Sequence, residues 1–148
     1  MIARTLLGCA VACLVSLSPV VAADNDEESL QGAWEITELA VAGQQIDIEL
    51  VREKLIRDLK LTFQFGNLML EIGEAAEKLE APYTLDTTTD PKRIDIRLGP
   101  DKSREGIYKL DGDKLEMLLG PDDKAIRPKS FSTADEEGFV LLVLQRAK

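Results

Sequence analysis

LKLTFQFGNLMLEI, residues 59–72, is the stretch on which the fold turns. Leu59, Leu61, Phe63 and Phe65 alternate with Lys60, Thr62 and Gln64. That alternation suits an extended chain with one buried face. Gly66-Asn67 marks a tight turn. Leu68, Leu70 and Ile72 then return as the partner strand. The result is a hairpin with one apolar face, and such a face must be buried against another layer.

The same alternation recurs on both sides of the hairpin. Trp34 and Ile36 alternate with Glu35 and Thr37 in a first strand that ends near Ala42-Gly43. Ala81, Tyr83 and Leu85 form a strand. Ile94, Ile96 and Leu98 alternate with Arg93, Asp95 and Arg97. Gly106, Tyr108 and Leu110 lead through Asp111-Gly112-Asp113 into Leu115–Leu119, and Phe139–Arg146 closes the series. One segment departs from the pattern. Ile48, Val51, Leu55 and Leu59 stand near helical spacing, which predicts a short amphipathic helix from Asp47 to Arg57, with Asp47 as its N-cap.

About eight short strands with mostly short connections predict an all-β fold in which sequence neighbours are spatial neighbours. We expect a single antiparallel up-and-down barrel over residues 30–148, because closure removes exposed strand edges. Residues 24–29 read as an acidic flexible arm. The inward sets, Leu61, Phe63 and Phe65 with Leu68, Leu70, Ile72, Ile94, Ile96, Leu98, Leu115, Met117 and Leu119, are all apolar. A barrel of this size is either filled by its side chains or holds one small ligand. The final strand is apolar on both faces, so its outside needs a cover, from the helix or from a partner.

Residues 1–23 have the layout of a secretory signal: Arg4, an apolar run from Leu6 to Leu17, Pro19, and small residues before a cut after Ala23 or Ala22. The run is too short to span roughly 30 Å of hydrocarbon, and acids follow it at once. The expected chain is therefore exported, to the periplasm or beyond, with no membrane span. A lipoprotein anchored at Cys9 is the lesser alternative, because Cys9 comes too early.

The 148 residues include 18 Lys+Arg and 27 Asp+Glu, a net charge of −9, and no His. Removing the leader takes away Arg4 and makes the balance one unit more negative. Such a balance excludes most nucleic-acid binders. Both Cys lie in the leader, so the mature chain would have no thiol and no disulfide. A Ser-His-acid triad is impossible without His, and the His and Cys ligands of zinc or copper sites are missing. Asp111-x-Asp113 and Asp122-Asp123 read as turns rather than calcium loops. Asp95 alternates to the outer face, beside Arg93, Arg97 or a neighbouring lysine. The expectation is a protein that is not an enzyme, carries no cofactor or metal, and is monomeric.

Two resemblances add to this reading. Gly32-Ala33-Trp34 opens the first strand and Arg146 ends the last. In lipocalin-like barrels such a Trp sits at the closed end with an Arg packed over its indole. The chain also resembles a family of small exported domains abundant in planctomycete bacteria. The matching residues are Leu30-x-Gly32-x-Trp34, Tyr83-x-Leu85-Asp86, Asp90-Pro91-x-x-Ile94-Asp95-Ile96, Gly106-Ile107-Tyr108-x-Leu110-x-Gly112-Asp113-x-Leu115, Arg127-Pro128-x-x-Phe131 and Arg146. They cover nearly all of the mature chain in order. The charged stretch from Glu49 to Lys60 departs from the pattern. The resemblance implies a lipocalin-like barrel and no established activity. It marks Gly32, Trp34, Pro91, Gly106, Gly112, Asp113, Pro128 and Arg146 as structural positions.

Two functional readings remain open. In the first, the barrel binds a small apolar or amphipathic ligand. A cavity then opens at the end carrying the Gly120–Gly138 loop, Arg127 contacts an acidic head there, and Phe131, Tyr108, Tyr83 and Phe65 line the site. In the second, those aromatics meet in a solid core, Arg127 merely bonds a carbonyl or an acid, and the domain acts on a protein partner through its outer surface.

Overall fold

The computed structural model describes residues 25–54, 59–72 and 77–148. The leader expected at 1–23 lies outside them, as does 55–57, the end of the expected helix. The elements are α1 (Asp26–Leu30), β1 (Gly32–Val41), β2 (Gln44–Ile46), α2 (Ile48–Lys54), β3 (Leu59–Gln64), β4 (Asn67–Ile72), β5 (Glu77–Asp86), β6 (Lys92–Arg97), β7 (Ser103–Asp111), β8 (Lys114–Leu119) and β9 (Val140–Arg146). From β3 to β9 each strand pairs antiparallel with the next, while β1 pairs with β3 on one side and β9 on the other. Eight antiparallel strands therefore close a lipocalin-like barrel. Among the described residues, no helix is long and apolar enough to cross a membrane.

β2 stands outside the closure. It pairs only with the far end of β1, from Leu39↔Ile46 to Val41↔Gln44. Between that pairing and the one with β3, which ends at Glu35, no strand among the described residues lies beside the edge of β1. α2 covers this gap. Arg52 Nη2 donates to the Ile36 carbonyl at 2.9 Å, and Ile48 is buried in the main core. Asp47 caps the helix as expected, its Oδ1 accepting from the Glu49 and Leu50 amides at 3.0 and 3.2 Å.

The hairpin that anchors the sequence reading forms, with its turn one residue earlier than expected. Gln64 pairs with Asn67, so the two turn residues are Phe65 and Gly66, with φ of 22° and 85°. Positive φ at both positions suits the twist of the flanking strands. The shift removes Phe65 from the interior. It sits at the hairpin tip, 80% exposed. The expectation that Phe65 lines a site inside the barrel is overturned, because a turn residue no longer follows the strand's alternation.

The arm expected at 24–29 is helical over most of its described part. Asp26–Leu30 is a short helix folded across one end of the barrel, with Leu30 fully buried and Asp26 7% exposed. Asn25 caps it, its side chain accepting from the Glu28 amide. Acidity suggested solvation, but one of the acids has a buried partner inside the barrel.

The chain's own long connection covers part of the outer face of β7 to β9, including Leu141 of β9. Ile107, Leu118 and Phe139 form a second buried cluster on the outer face, with Phe131 and Ala134 of the connection and Leu141 of β9 packed against it. Phe131 opens a 3-10 turn at Phe131–Thr133. It therefore packs outside the barrel and does not line its interior.

Candidate ligand-binding cavity

The two ends of the barrel are built differently. At the α1 end the interior is filled with aromatic rings. Phe63 and Tyr83 meet edge to face, with centroids 5.2 Å apart and planes at 89°. Trp34 is fully buried, and its indole N–H donates to the Leu30 carbonyl at 2.9 Å. The Arg146 guanidinium lies 4.4 Å above the Trp34 ring centroid, the arrangement expected for this pair. Arg146 is itself held on several sides. Its Nη1 donates to the Gln31 carbonyl, its Nη2 to the Ser29 carbonyl and its Nε to Asp113, at 3.1 Å for the last. Gly32 lies beside the same guanidinium, and Gly112 with Asp113 forms the β7–β8 turn that presents the carboxylate. Five positions of the resemblance, Gly32, Trp34, Gly112, Asp113 and Arg146, thus converge on one structural cluster.

α1 is fastened by two phenols. The Tyr108 hydroxyl donates to Asp26 Oδ2 at 2.7 Å, and Lys92 Nζ pairs with the same oxygen at 2.8 Å. The Tyr83 hydroxyl donates to Glu27 Oε1 at 2.8 Å. Burial, and then the bond to the Glu27 carboxylate, push the Tyr83 phenol up to about 12. An unfolded Tyr titrates near pKa ~10. Between these values the unfolded chain loses its proton first, so Tyr83 supports the fold fully below about pH 10 and progressively less towards pH 12. Tyr83→Phe is expected to flatten that alkaline decline, measured as urea midpoints from about pH 9 to 11.5. Equal slopes in both proteins would assign the decline to other groups, such as the lysines.

At the opposite end the interior changes character. Ala81 and Gly106 point inward among aliphatic side chains, and a cavity of about 280 Å³ remains. Its walls are Leu61 of β3, Leu68 and Leu70 of β4, Leu79 and Ala81 of β5, and Ile96 with Leu98 after β6. Arg104 of β7, Met117 and Leu119 of β8, and Val140 and Leu142 of β9 complete them. Leu119 and Val140 flank the Gly120–Gly138 connection, so the cavity sits at the end where one was expected. Gly106 is required by packing: a Cβ there would lie 2.6 Å from Leu119 Cδ2 and 2.8 Å from the Leu118 carbonyl oxygen.

The expected lining residues are elsewhere. Tyr83 and Tyr108 are interior, but they belong to the closed end and are absent from the cavity wall. Phe65 and Phe131 are outside the barrel. Arg127 is also outside. Its Nη1 donates to the Gly106 carbonyl at 2.8 Å, and its Nη2 pairs with Asp95 at 2.6 Å, with Glu105 at 3.8 Å. It ties the long connection to β6 and β7, and it gives Asp95 a partner from the connection rather than from a neighbouring strand. Arg127, Pro128 and Pro91 line a cleft of about 380 Å³ on the outer surface, with Arg93 and Lys129 beside them. Arg127 therefore does not stand at the barrel mouth.

The residue missed in the sequence is Arg104. It shares its parity with Gly106 and Tyr108, so its side chain belongs to the inner face, opposite Ile96. Parity was the available signal. An inward arginine contradicts the apolar pattern, and so the strand reads as beginning at Gly106. Among the described residues, no group of three His, Cys, Asp or Glu side chains is placed to hold a metal ion.

The class defined by this geometry is a lipocalin-like barrel, plugged by aromatics at one end and hollow at the other. No family model matches the chain, and neither a curated protein nor a solved structure matches it.

Proposed function

We propose that this chain is a non-catalytic binding module, of the exported kind its motifs resemble, that takes one small, largely apolar molecule into the barrel. The observation that carries this reading is the aliphatic cavity of about 280 Å³. Small-molecule sites usually begin near ~300 Å³, so the ligand is at the small end of the range. Apolar protein cavities of about 150 Å³ already stay dry and accept an aromatic molecule. The aliphatic walls offer dispersion contacts below a solvent-open rim that carries Leu79 and Leu98, and filling the space removes apolar surface from water. The outer-surface reading has less support, since Phe131 and Ala134 of the long connection already pack on the apolar outer cluster around Ile107 and Leu118.

The neutral fluorophore N-phenyl-1-naphthylamine tests the proposal. We expect saturable binding with one site per chain. Ala81→Phe should abolish it, since Ala81 lies in the cavity wall and the larger ring would occupy the space. Circular dichroism checks that the variant is folded. Non-saturable binding, or binding unchanged by Ala81→Phe, would overturn the cavity reading and favour action through the outer surface.

A further inference from the structure

We infer that the ligand of this cavity carries a single negative charge, a carboxylate, held by Arg104, with its apolar part buried among the aliphatic walls. The inference rests on the cavity reading and names the ligand class.

Arg104 is the one charged residue among the described residues lining the cavity. Its Nη1 donates to the Gly120 carbonyl at 2.8 Å. Among the described residues no carboxylate pairs with it, in a chain with 27 acids and 18 basic residues. Among the described residues, Arg93 and Arg97 also have no carboxylate in ion-pair contact, but both are exposed to water; the other half-buried arginines are treated differently. Arg52, Arg127 and Arg146 each have a carboxylate partner, Glu49, Asp95 and Asp113 respectively. A guanidinium has five N–H donors in a planar fork, and the bond to Gly120 uses one of them. Arg104 is half-buried at the cavity rim, so water solvates part of the guanidinium, and a carboxylate seated there would replace that water with a counter-charge beside an apolar wall. The bond to Gly120 also fixes the side chain at the start of the long connection, so little conformational freedom remains to be lost when a second partner arrives. The fork matches a carboxylate in two parallel bonds. A dianion would leave one charge uncompensated beside Leu98, Leu119 and Val140, which favours a monoanion.

The experiment compares octanoate with 1-octanol by isothermal titration near neutral pH, on the wild-type chain and on Arg104→Gln and Arg104→Lys. The two ligands share the alkyl tail and differ in the head group. We expect wild type to bind octanoate about ten- to a hundredfold more tightly than octanol, the range for a hydrogen-bonded charged group. Arg104→Gln should remove that preference while leaving octanol affinity within about threefold, which also shows that the cavity has survived the change. Arg104→Lys should restore part of it, as a point charge without the fork. Equal wild-type affinity for the two ligands, which needs no variant, would overturn the role of Arg104 and leave the cavity reading standing. So would a loss in Arg104→Gln that is the same for both. Binding of neither ligand would overturn both.

Discussion

Trp34→Ala is expected to destabilise the protein by about 3–5 kcal/mol, the range for truncating a large aromatic in a core that cannot collapse around the gap. Trp34 is 0% exposed, and three elements depend on it. Its ring supports Arg146 at 4.4 Å, its N–H satisfies the Leu30 carbonyl at the end of α1, and its strand position pairs with both Leu61 and Arg146. Arg146→Ala should cost less, about 1–2 kcal/mol, because the cation–indole contact and its bonds to the Gln31 and Ser29 carbonyls lie partly in solvent. The two losses should not add. Once the indole is gone the guanidinium has nothing to stack on, and a coupling of about 0.5–3 kcal/mol is usual for residues in contact. Urea unfolding of the two single variants and the double variant measures it. Strict additivity would mean that the arginine does not stabilise the protein through the tryptophan.

Asp26→Ala should be the next most damaging change, at about 2–3 kcal/mol. Breaking a fully buried ion pair costs roughly 3–5 kcal/mol because the remaining charge is stranded. The Lys92 side chain keeps 28% of its exposure, so solvent offsets part of that cost. The Tyr108 hydroxyl, 2.7 Å from Asp26 in a residue only 1% exposed, would lose this hydrogen bond as well. Asp26→Asn keeps an acceptor for Tyr108 and removes only the charge, so it should cost less than Asp26→Ala. If Asp26→Ala unfolds within about 0.5 kcal/mol of wild type, the change is no larger than an ordinary surface substitution, and α1 is not a fastened plug.

How much of this was legible from residues alone depends on how local each signal is. Alternation along 59–72, 81–85, 94–98 and 115–119 located the strands, because burying one face of an extended chain sorts side chains by parity. The short connections implied the meander. The Trp34 and Arg146 pair could be read because an indole at the start of the first strand and a cation at the end of the last meet whenever such a barrel closes. Asp47 could be read because an N-cap acts on amides two and three residues away.

Phe65, Arg127, Phe131, Asp26 and Arg104 were placed by tertiary structure instead. Phe65 left the interior through a one-residue difference in where the chain turns, and a one-residue slip reverses a side chain's face. Residues 120–139 have no period, so their fold over the outer face of β7–β9 follows from the apolar surface of Ile107, Leu118 and Leu141 waiting there. Asp26–Leu30 is too short for helical periodicity to register, and its place is set by Lys92 and Tyr108, more than sixty residues away. Parity alone puts Arg104 on the inner face, but only the closed barrel shows that this face borders a hollow and that no acid among the described residues pairs with it. Parity is a property of neighbours in the chain. Which charge ends up without a counter-charge depends on every strand around the ring.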